Sequence, residues 1–135
     1  LLIKKLLQML QNLKNGVAAN QFDVIEFFNG QAIKGSAQFE SLHNQAKYWF
    51  SSAANQQKFE KSPEKFVPQY GGFCAIAMSE EKQVAPNPKS FVIQDGKLYF
   101  FTRLLFGIID AKRQWVKAPS EKQKLADAAW KELNK

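Results

Sequence analysis

Asp95-Gly96 stands between two stretches of alternating character, Phe91 to Gln94 and Lys97 to Phe101. A two-residue hairpin turn prefers this pair, because both central residues take a positive φ that few side chains tolerate. The segment 91–101 is therefore the most constrained in the chain and commits it to an antiparallel strand pair. A second pair is expected where Phe39 to His43 and Lys47 to Phe50 flank Asn44-Gln45, a weaker turn signal.

The remaining segments read mainly as helix. Leu1 to Ala19 places Ile3, Leu6, Leu7, Leu10, Leu13 and Val17 on one face, which predicts an amphipathic docking helix over residues 1–20. A domain over 21–135 follows. Ser51 and Ser52 can cap a helix running to Lys61, and Ser62-Pro63-Glu64 restarts it, giving a broken helix from Ser52 to Val67 with Phe59 and Phe66 on its inner side. Pro68 to Gly72 is a loop, Phe73 to Met78 fits either strand or helix, and Ser79 to Pro88 is an exposed loop. Leu104, Ile108, Ala111 and Trp115 predict one C-terminal helix. Ser120 with Gln123 opens a second one carrying Ala126, Ala129, Trp130 and Leu133. The fold class is α+β: a small antiparallel sheet of two hairpins, a broken central helix and helices at both termini.

Composition narrows the function classes. With 135 residues, 45% of them hydrophobic, the chain can bury one core without a structural metal. Its one cysteine excludes a disulfide within the monomer, and no apolar run approaches the length of a transmembrane segment. The net charge of +7 is uneven: residues 1–20 carry three lysines and no acid, 21–102 are balanced, and 103–135 carry eight basic against four acidic side chains. The lysines of the neutral body stand singly and its aromatics have apolar neighbours, which disfavours nucleic-acid binding. The chain opens on leucine, so its natural start is expected upstream. A free thiol fits the cytoplasm.

One pattern is more specific. Tyr48-Trp49-Phe50-Ser51-Ser52 is followed by Asn55, Phe59, Ser62-Pro63-Glu64-Lys65-Phe66 and Pro68-Gln69-Tyr70-Gly71-Gly72-Phe73-Cys74-Ala75. In order and spacing this resembles the YHS domain family, in its longer stand-alone bacterial branch. Asp23 to Phe28, Ile33 to Ser36, the hairpin from Val92 to Tyr99, and Trp115 and Trp130 extend the resemblance over residues 22–133. It implies a TRASH-like module that binds copper or a related soft metal, and relatives that are exported, so a periplasmic location stands beside the cytoplasmic one. Metal-binding members carry one cysteine after the aromatic triplet and another four residues later. Those positions hold Ser51 and Asn55 here, and the early cysteine of the short domain falls near Glu26.

Two readings of the site follow. Cys74 can act as a soft ligand helped by Met78, four residues on, or by His43, the sole histidine. Alternatively the domain has lost metal and uses an aromatic pocket of Tyr48, Trp49, Tyr70, Gly71, Gly72 and Phe73 for a small organic ligand or a protein partner. A zinc site of four cysteine or histidine ligands is impossible within one chain that holds two such residues. No signature supports a Cys/His nucleophile, Glu80-Glu81 read as solvated surface, and Gly71-Gly72 lack the rest of a phosphate loop. The expectation is a binding module and not an enzyme.

Overall fold

The computed structural model describes residues 10–135, so the first nine residues of the expected N-terminal helix lie outside the described residues. From Leu13 the chain is extended: β1 (Leu13–Lys14) turns through Asn15-Gly16 into β2 (Val17–Ala18). Both turn residues take positive φ, 54° and 82°. Turn chemistry thus outweighs the helical spacing of Leu10, Leu13 and Val17, and the last turns expected of the docking helix are a hairpin instead.

A short helix α1 (Val24–Phe27) follows, capped by Asp23, and leads into β3 (Ser36–His43) and β4 (Ala46–Phe50). Asn44 and Gln45 make the expected tight turn, with φ of 48° and 65°. The first sheet runs β1-β2-β4-β3 and is mixed, since β2 lies parallel to β4 through Val17 and Lys47. The central helix is broken as anticipated: α2 (Ala53–Lys61) is capped by the Ser52 hydroxyl, and a single turn over Pro63–Lys65 follows the break. Phe59 is buried, while Phe66 is half-buried and meets Phe28 edge-on at 5.2 Å.

The ambiguous stretch after Gly72 is helical, as α3 (Ala75–Ser79). The predicted hairpin forms β5 (Asn87–Gln94) and β6 (Lys97–Phe101), but it makes a separate sheet instead of joining the first one. The reason lies in β6. Leu98 and Phe100 face one apolar cluster, with Phe27, Tyr48, Phe50 and Phe59, whereas Tyr99 and Phe101 face another, with Tyr70, Cys74, Met78 and Trp115. A strand buried on both faces separates two cores. Its free edge is covered by the segment 68–74, through bridges from Pro68 to Leu98 and from Cys74 to Phe100.

The C-terminal region departs from expectation at two points. Leu104 and Ile108 do not belong to a helix: β7 (Arg103–Leu104) and β8 (Ile109–Asp110) form a small hairpin, and α4 spans Lys112–Lys117 only. The long helix α5 (Pro119–Leu133) opens at Pro119 and not through a Ser120 cap; Ala118 precedes it without a side-chain capping bond. Proline supplies the first helical φ and lacks the N–H that a cap would satisfy.

Among the described residues one buried side-chain group has no partner. The Tyr99 hydroxyl accepts and donates no hydrogen bond, although the residue is buried. Removing an unsatisfied polar atom from a core relieves its desolvation cost, so Tyr99→Phe is expected to stabilise the protein by about 1 kcal/mol. A urea titration checks this, and destabilisation by a similar amount would show that the hydroxyl is satisfied in solution.

Candidate functional site

The segment 67–71, the β3–β4 turn and the end of α5 meet at a cleft of about 510 Å³. Its walls include His43, Tyr48, Pro68, Tyr70, Gly71 and Trp130. Tyr48 alternates inward on β4 between Ala46 and Phe50, and stacks at 4.6 Å on Phe59. His43, at the end of β3, lays its ring against Tyr48 and Phe59 at 6.4 and 6.0 Å.

Tyr70 reaches the cleft through an unusual backbone. It takes φ 57° within the turn Gln69–Gly72, and its hydroxyl donates to the Asp127 carboxylate on α5 at 2.7 Å. That bond ties the loop to the helix and brings Trp130 to within 6.4 Å of the Tyr70 ring. Gly71 permits the closest approach: a Cβ there would collide with the Leu10 carbonyl oxygen and stand 3.0 Å from the Trp130 ring. Only glycine fits that wall.

The tyrosines here are held neutral. Burial pushes the Tyr48 hydroxyl above its ordinary range. Burial, then the hydrogen bond to Asp127 and its charge, push Tyr70 up, and burial with the charges of Asp127 and Asp95 brings Tyr99 up to about 12. At neutral pH the cleft therefore presents phenol and amide groups beside the His43 ring.

Of the residues named for an aromatic pocket, Tyr48, Tyr70 and Gly71 line this cleft. Phe73 lines a neighbouring polar depression with Asn12 and Asn15. Gly72 supports the turn at φ 84°, and Trp49 alternates to the outer face of β4, where its indole N–H donates to Glu40 at 2.9 Å. Trp130 and Pro68 escaped the sequence reading, because helical spacing marks Trp130 only as a residue that docks its helix.

The positions where the resemblance implies lost cysteines come together in space. The Asn55 amide donates to Glu26 at 3.0 Å and lies 3.5 Å from the Ser51 hydroxyl, and it also donates to Asp23 at 2.8 Å. Asp23 is the hub: fully buried, it accepts from Ile25 N–H, from Ser51 N–H and hydroxyl, and from Asn55. Its signal in the sequence is an acid immediately before a short apolar run with glutamate three residues on, the pattern of a helix N-terminus.

These groups do not fit a soft metal ion. The cluster around Asp23 offers oxygens and an amide already engaged with one another. Cys74 is 1% exposed, and its Sγ accepts the Thr102 N–H at 3.2 Å. Met78 lies one helical turn along, its N–H bonded to the Cys74 carbonyl, and is likewise buried. His43 packs in the other apolar cluster, and no hydrogen bond joins it to Cys74 among the described residues. Nor do the described residues hold any group of three or more His, Cys, Asp or Glu side chains able to share an ion. The arrangement likewise lacks the thiol and imidazole contact that nucleophilic catalysis needs.

The chain matches no protein-family model, no curated protein and no solved structure. Among the described residues no helix is long and apolar enough to cross a membrane.

Proposed function

We propose that the protein is a non-enzymatic binding module, resembling YHS domains, that takes a small, planar, uncharged organic ligand in the cleft between Tyr48, Tyr70 and Trp130. The observation that carries this reading is the convergence of aromatic side chains from β4, the turn Gln69–Gly72 and α5 on one concave surface of about 510 Å³. That volume lies within the range of small-molecule sites, roughly 300–1,000 Å³. Asn44, Gln45 and Gln69 line it with amide groups able to orient a ligand, and among the described residues no carboxylate or lysine does. Such a lining selects for hydrogen-bonding planarity and against charge.

The test is an NMR screen of uncharged heteroaromatic fragments against the labelled protein. Binders are expected to shift the amides of His43 to Gln45 and of Gln69 to Gly71, and Trp130→Ala is expected to weaken them by about tenfold. Binders that map elsewhere, or none at all, would refute the reading. An anaerobic copper(I) titration belongs beside it, because stoichiometric binding abolished by Cys74→Ser would return the function to the thiol.

A further inference from the structure

The hairpin of β7 and β8 carries an apolar tip. Leu104 pairs with Ile109, and the turn between them holds Leu105, Phe106 and Gly107 at φ 51°, 55° and 91°. Consecutive left-handed residues with large side chains are costly, and here no core burial offsets them. Phe106 is fully exposed at 106%, and Leu104, Leu105, Ile108 and Ile109 are each at least half exposed. Scattered apolar residues on a surface need no explanation, but five of them within six positions on one projecting turn form a patch that does.

The turn is nevertheless well held. Arg113 donates to the Ile108 and Gly107 carbonyls at 2.7 and 3.0 Å. The Arg103 guanidinium packs so closely on Gly107 that a Cβ there would stand 2.9 Å away. These bonds satisfy backbone groups that would otherwise resist an apolar surrounding. They also place two cations directly beneath the apolar tip, with Lys112 and Lys117 following on α4. The one acid between residues 103 and 117, Asp110, is turned onto the Ser90 hydroxyl and the Lys112 N–H.

We propose that this knuckle docks the protein on an anionic phospholipid bilayer, with Leu105 and Phe106 in the boundary between headgroups and acyl chains and the arginines and lysines among the headgroups. An apolar tip above a cationic collar is complementary to that surface and to few others. A second copy is a poor occupant, because two such collars would face each other with like charge. The docking is independent of the cleft and of whatever it binds.

The test uses the full chain and sedimentation with phosphatidylcholine vesicles, with and without phosphatidylserine. Binding is expected only with phosphatidylserine, weakening as salt is raised. Phe106→Asp is expected to reduce it about tenfold or more, with an unchanged melting temperature because the side chain touches no core. Phe106→Trp should keep the binding, and its emission should shift to the blue on vesicles. Three results would overturn the proposal: no binding to either vesicle, binding that Phe106→Asp leaves intact and so resides elsewhere, or self-association lost in Phe106→Asp without any affinity for vesicles.

Discussion

Raising the pH beyond 10 is expected to unfold the protein before its tyrosines titrate in place. All three tyrosines of the chain, Tyr48, Tyr70 and Tyr99, are buried, and all three are held above the ordinary tyrosine value of 10. The sign follows from proton counts: above pH 10 the unfolded chain has lost protons that the folded chain retains. The stability these groups protect is fully present below pH 10 and falls as the pH climbs toward 12, the value for Tyr99. Each contributes at most about 1.4 kcal/mol per pH unit, and the three together at most about 4 kcal/mol per unit. Two pH units thus remove up to about 8 kcal/mol, which exceeds the lower part of the typical stability range of roughly 5–15 kcal/mol. Tyrosinate absorbance should therefore appear in one cooperative step together with loss of the far-ultraviolet circular dichroism. Gradual tyrosinate formation centred near pH 10, with helical signal retained, would show that the hydroxyls are open to solvent.

Asp23→Ala is expected to destabilise the protein by about 3–5 kcal/mol, more than any single surface substitution. The carboxylate joins the N-terminus of α1 to the end of β4 and the first turn of α2, so its removal leaves the Ser51 N–H without its partner and takes from the Asn55 amide its shortest bond. Asp23→Asn does not rescue, since its amide would present a donor where donors already converge. Chemical denaturation of Asp23→Ala, Asn55→Ala and the double variant separates the contributions. Strong coupling between the two substitutions is the expected outcome, and simple additivity would mean that the network acts as separate bonds.

The elements legible in the sequence were those fixed by local chemistry. Asp95-Gly96 and Asn44-Gln45 make their turns, and Ser52 caps α2, because each depends on residues within a few positions of one another. Three features read wrongly had competing local signals. Leucine spacing over Leu10 to Val17 competed with Asn15-Gly16, Leu104 to Trp115 kept helical spacing across a Gly107 turn, and Ser120 looked like a cap one residue after the proline that starts the helix. In each case a glycine or proline imposed a backbone geometry that apolar periodicity could not outweigh.

The candidate site divides in the same way. The aromatic identity of Tyr48 and Tyr70 and the need for glycine at position 71 could be read from the chain, since they sit in one recognisable pattern. That Trp130 closes the cleft, that Cys74 turns its sulfur to the Thr102 N–H, and that Asp23 gathers Ser51, Asn55 and Glu26 depended on segments far apart in sequence. The α+β class, the two hairpin turns and the broken helix were legible locally, because dihedral preference and capping act over a few residues. Tertiary structure alone decided that the hairpins part into separate sheets, because burying β6 on both faces requires partners that no local pattern names.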